Sequence, residues 1–356
     1  MAKIISLERL RQERAKTNFE QPVPFVLNGE MCWVSKRVVN GGMELLVLGK
    51  PIGEMLTTAS GRKELLEKVV LDVELGRETV PLLYSPIYER LEDPNFPEVF
   101  DPKWSQYGVV VFLQHIEGEE VKFGSLRAEE GPVARILTWA AAFEYTEDMV
   151  EYNQTFNMEV LNKAMGEGHN ALLNHIHLDP IISYNYTSAN TTNAVYVTAE
   201  GKPTTKETGD AHPLLSLRET LKAGRADSRK KKRPGSVLLV AGTREEHVQE
   251  ALGNLHVRGT DHPALSGITE VIAYDGYEIK VGKKSHSYQG VNDDTGYLIR
   301  PKRGFKELIK HELRVDAGDG DLSRLVEAQV VGRVRRGVYA AVAENVQKIN
   351  LPELFD

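Results

Sequence analysis

The apolar positions of this chain change period several times, and each change marks an element. Met31–Val39 and Met43–Leu48 alternate apolar and polar residues around Asn40-Gly41, whose tolerance of positive φ predicts a tight hairpin turn. After Gly61 the spacing becomes helical, through Leu65, Leu66, Val69, Val70 and Val73. Residues 81–103 then hold five prolines and predict irregular, surface-laid chain. A second hairpin is expected from Gly108–Ile116 and Glu119–Phe123 about Glu117-Gly118, leading on into the charged segment that begins at Arg127. At the front of the chain Ser6 is placed to cap a short helix, Leu7–Lys16, which offers little beyond Leu7 and Leu10 to bury.

From Thr146 the pattern is helical again. Met149, Tyr152, Phe156, Val160 and Ala164 share one face, predicting a helix from Glu147 to Ala171 that Gly166 and Gly168 kink or interrupt. Ile181–Val197, rich in Tyr, Thr and Val, reads as strand plus turns, and Leu214–Ala223 as helix. Ser236–Ala241 predicts a buried strand, followed by Gly242-Thr243 and a helix over Arg244–Leu252. Val271–Ile272 and Tyr277–Val281 predict strands about Asp275-Gly276. The end of the chain alternates in long runs, Tyr297–Arg300, Phe305–Val315 and Val330–Val342, with a turn expected at Gly318-Asp-Gly320. The fold class expected is α+β, closed by long strands.

Composition narrows the classes. With 41% hydrophobic and 27% charged residues over 356 positions, the chain reads as an ordinary soluble globular protein of roughly two domains, excluding collagen-like, disulfide-rich and wholly disordered classes. Cys32 is the single cysteine, so neither an intrachain disulfide nor a multi-cysteine zinc site can form. The 44 basic and 51 acidic side chains leave a net charge of −7, and no uncharged apolar run reaches the roughly 18 residues of a membrane span.

Chemical motifs are few. Gly276–Ser285 imitates a phosphate loop, but five residues separate Gly276 from Gly282 where four are needed, and it lies in a strand pattern. Gly166-Glu-Gly168-His-Asn-Ala171 copies a dinucleotide fingerprint inside a helix, where packing or a kink is the better account. His169, His175 and His177, near Asp179, form the one histidine cluster; imidazoles at i and i+2 face different sides of a helix, so polar packing is favoured over metal. Glu129-Glu130 and Asp293-Asp294 are adjacent, loop-like pairs suited to solvated faces. In the basic stretch from Arg218 to Arg233, the run Arg229-Lys230-Lys231-Lys232-Arg233 reads as a solvated loop, with contact to a DNA backbone as the functional alternative. No aromatic residue is interleaved there, so base stacking is not supported. No catalytic residue, metal site or cofactor is expected.

Two stretches resemble the major capsid proteins of tailed bacteriophages. The first is Phe143-Glu-Tyr-Thr-Glu-Asp-Met-Val-Glu-Tyr-Asn-Gln-Thr-Phe-Asn157, continuing to Asn170-Ala-Leu-Leu-Asn-His-Ile-His-Leu-Asp-Pro180. The second is Gly296-Tyr-Leu-Ile-Arg-Pro-Lys-Arg-Gly-Phe305, with Val331-Gly-Arg-Val-Arg-Arg-Gly-Val-Tyr339 after it. With the order of elements, the resemblance covers residues 105–356. It implies an N-terminal arm, here with an added subdomain (1–104), a projecting β-hairpin loop (105–145), a peripheral domain with a long spine helix (146–197 and 296–356) and an axial domain (198–295). It also implies assembly into an icosahedral head around double-stranded DNA. The partners would be copies of the chain as hexamers and pentamers, scaffold, portal and decoration proteins, and DNA bound without sequence preference. The location would be the virion, assembled in the host cytoplasm, with no membrane partner. Assembly contacts are expected at Leu7 and Leu10 of the arm, Glu117, Gly118 and Arg127 of the projecting loop, and Gly318 and Gly320 between the closing strands. An encapsulin-like compartment is the alternative of the same fold, and a soluble phage hydrolase the distant one.

Overall fold

The structure, a computed structural model, describes residues 23–27, 30–39, 42–48, 59–100, 108–109, 125–126, 134–146, 155–281, 284–319 and 326–353. The chain is α+β and divides into two compact units. The first comprises Met1–Pro81, Trp139–Asn170 and Leu313–Val334; the second comprises Leu82–Thr138, Ala171–Glu312 and Arg335–Asp356.

In the first unit, strands β1 (Val23–Leu27), β2 (Glu30–Val39) and β3 (Gly42–Leu48) form an antiparallel sheet. Val39 pairs with Gly42, the register expected of a hairpin about positions 40–41, which themselves lie outside the described residues. Helix α1 (Ala59–Thr79) buries Val69 and Val73, two turns of the predicted apolar face, and leaves Val70 40% exposed. Helix α2 (Thr155–Ile182) spans 28 residues, about 42 Å at 1.5 Å per residue. It runs unbroken through Gly166 and Gly168 and past Ala171, so neither glycine ends it; Pro180 falls in its last turn. A Cβ at Gly166 would sit 2.0 Å from the Val73 carbonyl oxygen, and one at Gly76 would sit 2.1 Å from that of Lys163. The two helices therefore touch backbone to backbone, which only glycine permits. Around this crossing Val69, Val73, Tyr145, Met158, Met165, Ala328 and Val330 close an apolar core.

The second unit is built on a five-stranded sheet. Its order is Thr191–Thr192, β13 (Val346–Asn350), β10 (Thr295–Ile299), β6 (Val237–Val240) and β7 (Glu270–Ala273). Strand β6 is parallel to β7 and antiparallel to β10, and every residue of β6 is buried, as its uninterrupted Val-Leu-Leu-Val run requires. Helices α3 (Pro213–Lys230) and α4 (Gly242–Leu252) bury Leu217, Leu221, Val248 and Ala251 against Leu238, Val240, Leu298 and Ile349. Strands β8 (Gly276–Val281) and β9 (Lys284–Gln289) form a separate hairpin.

A four-stranded sheet has the order β4 (Glu89–Glu92), β11 (Phe305–Asp319), β12 (Val326–Ala340) and β5 (Leu137–Thr146). Strand β11 continues through Gly318, so the expected turn does not begin there.

Three expectations fail for identifiable reasons. The proline-rich stretch is surface-laid only in part: residues 89–99 are exposed or half-buried, but Tyr84, Ile87 and Tyr88 are 3%, 0% and 4% exposed, and β4 pairs in parallel with β11. Proline excludes helix here but leaves aromatic side chains free to enter a core. Ile181–Val197 does not open as a strand, because α2 carries the chain to Ile182. The helix beginning near Leu214 does not stop at Ala223; it absorbs part of the basic run and ends at Lys230. Leu7, Leu10, Glu117, Gly118, Arg127 and Gly320 lie outside the described residues. Of the second hairpin only its base is described. Gly108 pairs with Leu126 and Val109 with Ser125, pairs that are symmetric about position 117.

Candidate functional site

The densest convergence of ionisable groups among the described residues is a buried cluster in the second unit. Alternation along β12 turns Val334 and Arg336 inward and leaves Arg333 and Arg335 exposed. The Arg336 guanidinium, 3% exposed, forms ion pairs with Glu307 and Glu312 of β11. The Tyr84 hydroxyl donates to Glu307 Oε1 at 2.9 Å. Its ring stacks on His177, with centroids 3.6 Å apart and planes 7° from parallel. Tyr88 lies edge-on to both His177 and Phe305 and donates its hydroxyl to the His177 carbonyl oxygen at 2.6 Å. Glu312 continues the chain of charges outward to Arg90, which also meets Glu92.

His177 Nε2 stands 3.5 Å from Glu307 Oε1, and its Nδ1 lies 2.6 Å from the Leu173 carbonyl oxygen. Complete burial, reinforced by the Arg336 charge, pushes the imidazole down to about 3, so at neutral pH the ring is uncharged and Nδ1–H donates to Leu173. The approach to Glu307 is therefore not an ion pair at neutral pH, because the imidazole carries no charge there. Burial, with the Glu307 carboxylate beside them, drives the Tyr84 and Tyr88 hydroxyls well above the ordinary phenol range. Both stay protonated and serve as donors. Arg336, Glu307, Tyr84, Tyr88 and His177 are closed inside the core, and only Glu312 and Arg90 reach the surface. The cavity of about 560 Å³ bounded by residues 194–196 and 203–206 contains none of them.

The other sequence-predicted residues separate. His169 Nδ1 is 3.1 Å from Asn170 Oδ1, and His175 stacks on Tyr288 with centroids 4.4 Å apart. No three metal-ligating side chains converge among the described residues. The glycine-rich stretch from Gly276 is a ladder in which Gly276 faces Gln289 and Val281 faces Lys284, so its amides serve strand pairing. Asp293 accepts from Thr243 Oγ1 at 2.6 Å, and Asp275 accepts from the Gly242 amide at 2.5 Å, where α4 begins. Glu129 and Glu130 lie outside the described residues.

The basic run is a helix end and a turn rather than a loop. Arg229 and Lys230 complete α3, where cations meet the negative end of the helix dipole, and Lys231 caps it. Residues 229–232 are exposed, while Arg233 is half-buried and donates Nη1 to the Ala343 carbonyl oxygen at 2.6 Å. Arg218, counted with this basic stretch in the sequence, belongs elsewhere. It is 2% exposed and donates Nη1 to the carbonyl oxygens of Ala251 and Gly253, both at 2.9 Å, and Nη2 to that of Pro263. It thus satisfies carbonyls at the end of α4 that would otherwise be orphaned. A signal for it existed in the sequence, since Arg218 shares its helix face with Leu214, Leu215 and Leu221. Gly318 is exposed in β11 with open space around it.

No family model matches the chain, and no curated protein does. Solved structures do. The virus-like particle from Pyrococcus furiosus is 9% identical, covers 81% of this chain and 100% of its own, and has a TM-score of 0.46. The capsid of the cyanophage P-SCSP1u is 10% identical over 77% of this chain and 89% of its own, at 0.48. An encapsulin complex from Synechococcus elongatus is 8% identical over 78% and 91%, at 0.42. A virus-like particle, a phage capsid and an encapsulin complex are thus what this chain is similar to among solved structures, each at low identity.

Proposed function

We propose that this chain is a shell subunit: a major capsid protein whose copies assemble into the icosahedral head enclosing the double-stranded DNA of a tailed phage. The order of elements supports this most. A 28-residue helix leads into a compact β/α core of residues 191–299, and the chain then returns through two 15-residue strands. That is the succession of spine helix, axial domain and closing strands implied by the resemblance over residues 105–356. A physical argument runs beside it. Among the described residues strand β5 ends the order of its sheet, is uncharged from Leu137 to Phe143, and holds Leu137 at 50% exposure. An isolated monomer with such an edge is prone to pair, whereas a neighbouring subunit would cover it. The reading assigns no catalytic step to the chain.

Negative-stain microscopy and light scattering of the purified protein test it. Closed shells are expected, and a stable monomer under all salt and pH conditions, with or without its scaffold protein, would overturn the proposal. Particle size and the ratio of absorbance at 260 and 280 nm then separate a DNA-filled head from an encapsulin-like compartment holding protein cargo.

A further inference from the structure

Two basic turns far apart in sequence meet in the second unit. Arg300 Nη1 donates to the Lys232 carbonyl oxygen at 3.4 Å, joining the turn that follows α3 to the turn that precedes β11. Both turns place a lysine in the left-handed backbone region, Lys232 at φ 59° and Lys302 at φ 63°. Glycine or asparagine would occupy that region with less strain, so the two lysines stand where backbone preference alone would not put them.

The charge is concentrated. Arg229, Lys230, Lys231, Lys232, Lys302 and Arg303 are all exposed. Lys230 lies 3.5 Å from Asp227, whose other carboxylate oxygen accepts from Thr192. Among the described residues no carboxylate is hydrogen-bonded to Arg229, Lys231, Lys232 or Lys302. Arg225, one helical turn before Arg229, is held below the ordinary guanidinium range by burial and by the neighbouring Arg229 charge, as crowding of like charges requires. In a chain of net charge −7 this is a local reversal of sign.

We propose that the turns at 229–232 and 300–303 form one contact surface for nucleic-acid phosphates, binding duplex backbone without reading its sequence. Three features favour phosphate over an acidic protein surface. The exposed cations are mostly lysines, which serve phosphates as point charges and are depleted in protein interfaces. Neither turn contains an aromatic residue, so the surface suits backbone contact and not base stacking. The cations also come from two turns held together, presenting a patch rather than a flexible tail. The proposal rests on the shell reading only in naming packaged DNA as the source of the phosphates.

The test is titration of a fluorescent random-sequence duplex with purified protein between about 50 and 200 mM salt, where each phosphate contact contributes about −0.9 to the slope of log affinity against log salt. The comparison protein carries Lys230→Gln, Lys231→Gln, Lys232→Gln and Lys302→Gln. It should lose about three to four from that slope and bind at least roughly tenfold more weakly at the lowest salt. Lys302→Gln alone, remote from the helix, should lower the slope by about one, which keeps the test valid if the quadruple variant folds poorly. Unchanged slopes in both variants overturn the site. Equal binding of poly-glutamate by the wild-type protein would assign the surface to an acidic protein instead and overturn the nucleic-acid assignment. The titration uses unassembled subunits, and microscopy separates the two readings: subunits that form shells but do not bind duplex before assembly sink the site alone, and duplex binding without shells sinks the shell reading alone.

Discussion

The crossing of α1 with α2 in the first unit and the centre of the polar cluster around Arg336 in the second are both buried, and they are held by opposite means. At the crossing, Gly76 and Gly166 remove side chains so that backbones meet. The polar groups beside it are chained, with Tyr145 donating to Asn162 at 3.0 Å and Asn162 to Asp72 at 3.2 Å. At the cluster, long side chains reach inward and bring a guanidinium, carboxylates, an imidazole and two phenols into one interior. The contrast teaches where each unit is vulnerable. Close backbone contact fails when volume is added, and a buried ionic group fails when one partner is taken away or the pH changes.

The largest effect expected follows from removing the guanidinium. Arg336→Met leaves Glu307 buried beside a neutral imidazole, and loss of one partner of a buried pair costs about 3–5 kcal/mol. Urea denaturation should show it as a lowered midpoint at pH 7. A loss below about 1 kcal/mol would mean that the cluster is hydrated and the contrast is false.

The pH response comes next. His177 titrates near 6.5 unfolded and at about 3 folded, so the unfolded chain binds more protons between those values. Its contribution is therefore present above pH 6.5 and is lost as pH falls toward 3. By pH 4 the loss from this group is about 3 kcal/mol. His177→Gln should flatten that part of the stability–pH curve even if it lowers stability at pH 7 through lost stacking on Tyr84. An unchanged slope would show that carboxylates alone govern acid unfolding.

The glycines give a comparison within one helix. Gly166→Ala should destabilise by about 1–3 kcal/mol, since its Cβ would press on backbone that has no room to yield. Gly168, two residues on, has nothing within 4 Å of a built Cβ, so Gly168→Ala should stabilise by about 0.5–1 kcal/mol through helix propensity. Thermal melts of the pair decide the matter by sign. If both stabilise, the helices do not make backbone contact.

The smallest effect is Tyr145→Phe, which removes one buried hydroxyl donor to Asn162 and should cost about 1 kcal/mol. That loss should not vary between pH 5 and 8, because burial raises the Tyr145 hydroxyl far above that range and it remains protonated throughout. A pH-dependent loss would tie the first unit to the same electrostatics as the second.

Much of the local structure was legible without tertiary information. Asn40-Gly41 announced the pairing of β2 with β3, the spacing from Leu65 to Val73 announced α1, and Val237–Val240 announced a buried strand. These signals are local, arising from turn geometry and from the period of apolar side chains. The polar cluster was not legible. Arg333, Arg335 and Arg336 look alike in sequence, and alternation alone leaves open which phase faces inward until β11 supplies Glu307 from 29 positions away. The same holds for Tyr84 and Tyr88, which lie in a stretch whose prolines identify irregular chain without saying whether it is covered.

By itself, then, the sequence determined the α+β class, the principal hairpin and helices of the described chain, and the glycines whose absence of side chain had to serve either packing or a bend. The tertiary structure alone decided that Gly166 serves packing, that Arg218 and Arg336 are interior, and that the basic turns at 232 and 302 adjoin. The division has a physical cause. Turn and period signals depend on residues within a few positions of one another, whereas burial of a charge depends on whether a partner arrives from a distant strand to offset its desolvation.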